Sequence, residues 1–208
     1  MGIKHTKKTL STNKEIHIFD NVFSSSERSH HIQAAQQADY ALGGNSNTIF
    51  RNQKDTFFLC MLYDYEVVSD TFNFFGFMKS KNIDPVMEFL SDYELTRSWV
   101  TVSSPLTKYY WHVDTSDPNF NAKTLLYHVN DKWDNEWGGE TFFANDDGDC
   151  EYCVEYKPGR IVIFDGSIAH KPAVISPQAE EFRFMYVMQY SDEIVNEKNN
   201  FSNLKHTY

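Results

Sequence analysis

Short apolar segments separated by turn residues fill the C-terminal half of the sequence, and this pattern limits the fold more than any other feature. The strand-like segments are residues 96–103, 123–129, 141–143, 151–156, 160–165 and 182–190. Gly138-Gly139 and Lys157-Pro158-Gly159 supply turns between them. Many short strands joined by turns predict a β-sandwich or barrel.

The N-terminal half mixes strands and helices. Residues 15–23 alternate as a strand, and residues 56–63 are apolar and aromatic, as in a second strand. Helices are predicted over residues 26–41, after N-cap candidates Ser24 to Ser26, over residues 65–80, and over residues 84–91 with Pro85 in the first turn. We therefore expect a mainly β fold with supporting N-terminal α-helices packed on one face.

The length of 208 residues favours a single domain over residues 1–208. Within it we expect an N-terminal supporting region at residues 15–93, a strand-rich core at residues 94–191 and a polar tail at residues 192–208. The net charge of −10 disfavours nucleic acid as a partner, and the basic N-terminal segment at residues 4–14 is interpreted as a solvated tail.

Membrane and secretory signals are missing from the sequence. No apolar run approaches the length that spans a bilayer, and residues 1–13 are too polar for a signal peptide. Cys150 and Cys153 have the spacing of half a zinc site, but only Cys60 is left to join them, so ordinary thiols in a reducing compartment are favoured. These observations predict a cytoplasmic protein with no membrane partner.

A His-x-Asp motif at His112 and Asp114 is the feature that carries chemistry. On a strand, residues i and i+2 point to the same face, so this spacing can place an imidazole and a carboxylate on one metal ion. His170, which follows the buried strand at residues 161–165, can supply a third ligand. Two imidazoles and one carboxylate on one face of a metal leave three positions open, as in sites that use iron(II) to activate oxygen.

Arg183 lies in an apolar strand after His170. A buried guanidinium requires an anionic partner, and the distal carboxylate of 2-oxoglutarate can provide one through a two-pronged hydrogen bond. An acidic neighbour, Glu180 or Glu181, is the alternative partner. An isolated His-x-Asp motif is common by chance, but here it is followed in order by a Pro-Gly-Arg turn, His170 and Arg183.

These residues belong to a longer ordered set of motifs. The set is Tyr110-Trp111-His112-Val113-Asp114, Thr124-Leu125-Leu126-Tyr127-His128-Val129-Asn130, Trp137-Gly138-Gly139-Glu140-Thr141, Lys157-Pro158-Gly159-Arg160, Phe164-Asp165, His170 and Arg183. Over about residues 95–190 it resembles the prolyl 4-hydroxylase-like branch of the 2-oxoglutarate/Fe(II)-dependent dioxygenases. The resemblance implies a double-stranded β-helix, or jelly roll, as the catalytic core at residues 94–191.

The resemblance also implies a set of ligands. His112, Asp114 and His170 would bind Fe(II), and Arg183 would anchor 2-oxoglutarate. The oxidant would be O2, with ascorbate as a candidate reductant. Many collagen-type members use Lys at the anchor position, whereas this chain has Arg.

The family often carries Tyr where this chain has His128, and that Tyr binds the cosubstrate carboxylate. Strand alternation places Thr124, Leu126 and His128 on one face, which we take as the inner, cosubstrate-binding face. His128 would then donate the same bond and be sensitive to pH, whereas an outward-facing His128 would matter little. Tyr109 and Tyr110 flank the first ligand, and one of them is expected to line the site.

The resemblance implies hydroxylation of an unactivated C–H bond, with a prolyl residue in a protein or peptide as the first substrate class. A small metabolite, free amino acid or sugar intermediate is the second. A non-catalytic jelly-roll binding module and a cupin-like protein with zinc or manganese are the other open classes. Loss of a ligand would indicate the binding module, and all three ligands and the anchor are present. Arg183 argues against the cupin-like protein, because only a 2-oxo acid mechanism requires that buried cation.

Overall fold

A computed structural model describes residues 2–42, 58–64, 67–68, 76–115 and 121–192. The strands are β1 (Lys4–Thr9), β2 (Glu15–Asp20), β3 (Ala41–Leu42), β4 (Phe58–Asp64), β5 (Val67–Val68), β6 (Glu94–Ser103), β7 (Ala122–His128), β8 (Thr141–Ala144), β9 (Cys150–Val154), β10 (Ile161–Asp165), β11 (His170–Pro172) and β12 (Arg183–Ser191). The helices are α1 (Ser25–Gln37) and α2 (Asp84–Met87), with 3₁₀ turns at Phe77–Lys79, Glu88–Leu90 and Asn135–Trp137.

Two antiparallel sheets form the body of the fold. The larger sheet has the strand order β1-β2-β10-β7-β12-β6-β4-β3, with β5 paired to β4, and the smaller has the order β11-β8-β9. Apolar side chains from both sheets meet in one buried cluster, to which the larger sheet contributes Val162 and Met185 and the smaller sheet Phe143 and Val154. The predicted mainly β, jelly-roll architecture is confirmed.

The helices pack on the other face of the larger sheet, as predicted. Leu125 and Tyr127 of β7 share a buried cluster with Ile32 of α1 and Val86 of α2. The alternate β7 residue Leu126 faces the cluster between the sheets. Strand β7 is therefore buried on both faces, and it is paired on both edges, with β10 and β12.

Helix α1 begins where the sequence predicts and ends earlier. The Ser24 hydroxyl accepts from the Glu27 backbone N–H at 3.2 Å, and the Glu27 carboxylate accepts from the Ser24 backbone N–H at 2.8 Å. This capping box satisfies two of the free N–H groups at the start of the helix. The helix was expected to reach residue 41 but ends at Gln37, because Ala41–Leu42 pairs with β4 instead.

The predicted helix over residues 65–80 is wrong where it can be compared. Val67–Val68 is a strand that pairs with Tyr63 and Asp64 of β4. Helical structure is limited to the 3₁₀ turn at Phe77–Lys79, which begins after Gly76 with a φ of 62°. Such a left-handed residue interrupts an α-helix. Residues 65–66 and 69–75 lie outside the described residues.

The interpretation of the basic N-terminal segment as a solvated tail is also wrong for its first half. Residues 4–9 form β1, which pairs along its whole length with β2 at the edge of the larger sheet. Lys4, Lys7 and Lys8 project from this edge strand and are exposed or half-buried. Lysines on an edge strand discourage pairing with a strand of another molecule.

The remaining general predictions concern thiols, membrane spans and the tail. Cys60 is buried, Cys150 and Cys153 are exposed, and all three are free thiols. No helix in the described ranges has the length and apolar character needed to cross a membrane. Of the polar tail at residues 192–208, all but Asp192 lies outside the described residues.

A buried histidine of α1 predicts acid sensitivity of folding. His31 is buried, its Nδ1 lies 2.8 Å from the Tyr127 hydroxyl, and burial lowers its pKa to about 4. The unfolded imidazole binds a proton near pH 6.5, so the stabilisation is complete above that pH and is lost as the pH falls towards 4. His31→Gln keeps an acceptor for Tyr127 but cannot titrate. Between pH 7 and pH 4.5, we expect the free energy of unfolding of this variant to fall by about 2 kcal/mol less than that of the wild type.

Urea unfolding at the two pH values measures this difference. The buried imidazoles of His128 and His170 also have lowered pKa values, so the variant should keep part of the pH dependence. An identical pH dependence in the two proteins would contradict the role of His31.

Candidate metal centre

His112, Asp114 and His170 meet in one cluster. Nε2 of His112 lies 3.9 Å from Oδ1 of Asp114, and Nε2 of His170 lies 3.7 Å from Oδ2 of Asp114. One donor atom from each residue lies within 4.8 Å of the other two, so a single cation can contact all three. In the part of the chain that the structure describes, no other group of three His, Cys, Asp or Glu residues has this geometry.

Backbone hydrogen bonds bring the three residues together. The N–H groups of His112 and His170 each donate to the carbonyl of the other, at 3.1 and 2.9 Å. The Asp114 N–H donates to the Gly166 carbonyl at 2.8 Å. The expectation that His112 and Asp114 lie on a regular strand is wrong, because His112 forms only an isolated bridge and Asp114 is held by the turn after β10.

Both imidazoles present Nε2 to the cluster. Nδ1 of His112 lies 2.9 Å from the Tyr110 carbonyl, and Nδ1 of His170 lies 3.0 Å from the Ile168 carbonyl. A carbonyl oxygen only accepts, so each Nδ1 carries the hydrogen and each Nε2 keeps its lone pair. Burial lowers the pKa of His170 to about 4, which leaves this imidazole neutral and able to bind a cation at pH 7.

Arg183 is a buried cation without a carboxylate partner. Its side chain is 1% exposed, Nη1 donates to the Gly139 carbonyl at 2.7 Å, and Nη2 donates to the Ser103 hydroxyl at 3.4 Å. Its Nε has no partner, and no acidic side chain of the described residues forms an ion pair with it. Glu181, one of the two acidic candidates, instead accepts from Asn130 at 3.1 Å.

The close approach of Gly139 to Arg183 explains part of the Trp-Gly-Gly-Glu-Thr motif. Gly139 has a φ of 84°, and a Cβ at this position would lie 3.2 Å from Cδ of Arg183. A side chain here would therefore strain the backbone and crowd the guanidinium stem. The missing Cβ lets a backbone carbonyl hold the cation.

One cavity joins the cluster to Arg183. Its volume is about 90 Å³. Besides the three cluster residues and Arg183, its lining residues are Trp99, Thr101, Tyr109, Thr124, Leu126, Thr141, Pro172, Met185 and Val187. Much of this lining is apolar, and the same wall carries a candidate cation site and a guanidinium.

Some of the predicted site residues on β7 and before His112 line the cavity, and the others lie outside it. Thr124, Leu126 and Tyr109 line the cavity. Tyr110 does not line it, and contributes its carbonyl to His112 while Lys108 Nζ lies 5.1 Å from its ring centroid. Of the two tyrosines, Tyr109 is therefore the one in the site.

His128 lies on the expected face of β7 but outside the cavity. Its ring is fully buried and stacks on Tyr156, with 4.3 Å between the ring centroids. Nδ1 accepts from the Lys157 N–H at 2.9 Å, so Nε2 carries the hydrogen, and this Nε2 has no partner among the described residues. Burial holds the pKa of His128 well below its usual range.

Two residues of the site were missed by sequence reasoning. Thr141 lines the cavity, is 1% exposed, and its hydroxyl has no partner among the residues described. Its position at the end of the Trp-Gly-Gly-Glu-Thr motif could have indicated it. Ser103, at the end of β6, holds both Arg183 and the Tyr109 hydroxyl, and nothing in the sequence distinguishes it from other strand serines.

Comparison with known proteins gives a family match over the strand-rich region. Residues 98–187 match the model of the 2OG-Fe(II) oxygenase superfamily. No curated protein matches the chain significantly.

Solved structures with this fold are numerous and distant in sequence. A Trichoplax adhaerens prolyl hydroxylase in complex with a hypoxia inducible factor peptide is 17% identical, with a TM-score of 0.61 over 92% of this chain and 87% of that one. HygX from Streptomyces hygroscopicus, with nickel and 2-oxoglutarate bound, is 13% identical, with a TM-score of 0.58 over 85% and 82%. The α-ketoglutarate-dependent epimerase SnoN of nogalamycin biosynthesis is 16% identical, with a TM-score of 0.59 over 84% and 76%. At these identities the likeness shows the fold.

Proposed function

We propose that the protein is an oxygenase that hydroxylates an unactivated C–H bond, with a prolyl residue of a protein or peptide as the first substrate class. The match of residues 98–187 to the model of the 2OG-Fe(II) oxygenase superfamily supports this proposal. One observation carries the proposal. The His112, Asp114 and His170 cluster lies in the wall of the same small cavity as the Arg183 guanidinium, which has no acidic partner in the part of the chain that the structure describes.

The residues present fit a ferrous ion and a 2-oxo acid. Two neutral imidazoles and a carboxylate are ligands that suit iron(II), and they leave three coordination positions open. The Arg183 Nε and the Thr141 hydroxyl are buried and have no partner among the described residues, and a carboxylate in the cavity would accept from both. The buried guanidinium favours this function over a cupin-like protein with zinc or manganese, because only a 2-oxo acid mechanism requires that cation.

Each side chain has a distinct part in the proposed reaction. His112, Asp114 and His170 would hold the ferrous ion, which would supply the activation of O2, and oxidative decarboxylation of 2-oxoglutarate to succinate and CO2 would supply two electrons. Arg183 holds the distal carboxylate, and Thr141 and Tyr109 donate beside it. Leu126 and Met185 exclude water from the cavity. His128 supports the anchor indirectly, because its ring stacks on Tyr156, and the Tyr156 ring centroid lies 5.8 Å from Cζ of Arg183.

A prolyl substrate is supported by the motifs of the sequence and by two exposed apolar side chains that lie close in the sequence to the proposed ligands. Val113, between two of the proposed ligands, is 38% exposed, and Val174, two residues after β11, is 62% exposed. The structurally similar Trichoplax enzyme binds a peptide. SnoN, an epimerase of nogalamycin biosynthesis, supports the second class, a small-molecule substrate such as a metabolite, free amino acid or sugar intermediate.

The three free thiols agree with a reducing compartment, and we keep a cytoplasmic location as part of the proposal. The net charge of −10 makes nucleic acid a poor substrate. A non-catalytic binding module is disfavoured, because such a module would not need the complete ligand set and the anchor.

Turnover of 2-oxoglutarate tests the proposed function. The protein, loaded with Fe(II) and supplied with ascorbate and O2, is offered proline-containing peptides, free proline and other amino acids. We expect one succinate to form for each peptide that gains one oxygen atom. The wild type should produce succinate at least about 100-fold faster than Asp114→Ala.

The two levels of the proposal give different outcomes. Hydroxylation of a small molecule with no peptide turnover would overturn the prolyl substrate class alone. Failure of the iron-loaded protein to consume 2-oxoglutarate, with or without substrate, would overturn the oxygenase function.

A further inference from the structure

We propose that Thr124 is a positioning residue, which holds one oxygen of Asp114 so that the carboxylate offers a single oxygen to the cation; this inference rests on the proposed function. The Thr124 hydroxyl donates a hydrogen bond to Oδ2 of Asp114. An ionised carboxylate only accepts, so the direction of the bond is fixed.

The hydroxyl is held rigidly. Thr124 is 1% exposed and lies on β7, opposite Phe164 of β10 and Gln189 of β12. A strand that is paired on both edges and buried on both faces cannot shift without breaking the sheet. The hydroxyl is therefore a fixed donor, and not a surface group that exchanges freely between Asp114 and water.

Asp114 is attached to the same part of β7 through its backbone. Its N–H donates to the Gly166 carbonyl at 2.8 Å, and the Gly166 N–H donates to the Ala122 carbonyl at 2.8 Å. Ala122 precedes Thr124 by two residues in β7. The main chain of Asp114 is thus held by the beginning of β7 through Gly166, and its side chain is held there by Thr124. These two attachments fix the plane of the carboxylate.

The consequence concerns the number of open positions. Both oxygens of Asp114 face the cluster, because Oδ1 lies 3.9 Å from Nε2 of His112 and Oδ2, which accepts from Thr124, lies 3.7 Å from Nε2 of His170. A carboxylate that bound through both oxygens would occupy a fourth coordination position. A 2-oxo acid needs two positions and O2 needs one, so the hydroxyl keeps the required three available.

The test uses Co(II) as the probe and measures binding without turnover. Thr124→Val removes the donor and preserves the shape of the side chain, and Thr124→Ser retains the donor as the matched control. We expect Thr124→Val to bind Co(II) roughly 10- to 100-fold more weakly than the wild type, and Thr124→Ser to stay within about threefold. The visible spectrum of bound Co(II) should change in Thr124→Val and not in Thr124→Ser, because it reports the number and kind of ligands.

The outcomes separate this inference from the proposed function. A wild type that binds no Co(II) at the cluster would overturn the oxygenase proposal. A wild type that binds Co(II), together with a Thr124→Val protein of equal affinity and identical spectrum, would overturn the role of Thr124 alone. Should melting of the metal-free Thr124→Val protein show that it does not fold, Thr124→Ala is measured against Thr124→Ser by the same two criteria.

Discussion

Asp114→Ala is expected to abolish both iron binding and turnover. Asp114 supplies the only carboxylate of the cluster, and its removal leaves two neutral imidazoles that cannot balance the charge of a divalent cation. We expect at least a 100-fold loss of Fe(II) affinity, roughly the upper range for a disrupted metal-site contact, and no succinate above background. His112→Ala should behave in the same way, because it removes one of the two imidazoles.

Equilibrium dialysis of Fe(II) under anaerobic conditions measures the affinity. Asp149→Ala is the matched control, since Asp149 is an exposed carboxylate in the turn between β8 and β9. The control should bind iron as the wild type does. Unchanged iron binding by Asp114→Ala would show that the cluster is not the metal site.

Arg183→Ala is expected to raise the 2-oxoglutarate requirement by about 100-fold or more, with a smaller effect on the maximal rate. Truncating one partner of a buried, hydrogen-bonded charge pair costs about 2–5 kcal/mol of binding energy. Arg183→Lys should fall between the two proteins, because an ammonium keeps the charge but cannot form the two-pronged bond. Iron binding should be unaffected in both variants, since the guanidinium is not a ligand.

A thermal shift separates an anchor from a structural residue. 2-Oxoglutarate should raise the melting temperature of the Mn(II)-loaded wild type, because a ligand that binds only the folded state stabilises it. The same concentration should give little or no shift in Arg183→Ala. If the variant melts lower than the wild type but shows the same shift and the same 2-oxoglutarate requirement, Arg183 stabilises the fold and does not bind the cosubstrate.

The sequence predicted the composition of the cluster better than its geometry. His112, Asp114 and His170 were selected from their order and from the strand that precedes His170. Their actual arrangement depends on the hydrogen bonds between His112 and His170 and on the bond from Asp114 to Gly166. Such pairings join distant parts of the chain, so local periodicity cannot reveal them.

His128 shows where strand alternation stops being informative. Alternation correctly placed His128 on the same face of β7 as Thr124 and Leu126. Alternation does not indicate how far along the strand the cavity extends. His128, at the end of β7, is not among the residues that line the cavity, and its ring stacks on Tyr156. The contact of His128 with the cosubstrate therefore stays a prediction.

The N-terminal half was predicted less well, because its elements depend on the sheet they join. The start of α1 was found from Ser24, since capping is a local interaction. Its end at Gln37 is set by the pairing of Ala41–Leu42 with β4, and β1 is set by its pairing with β2. Short or polar segments of this kind form strands because a neighbouring strand pairs with them, and their own sequence does not indicate that they will be strands.

A crystal structure with Fe(II) and 2-oxoglutarate, obtained without oxygen, tests the central claim most directly. We predict one ion bonded to Nε2 of His112, one oxygen of Asp114 and Nε2 of His170 at about 2.0–2.2 Å, with the distal carboxylate of the 2-oxo acid paired with Arg183. An ion bound without His170, or a 2-oxo acid bound away from the guanidinium, would contradict the account.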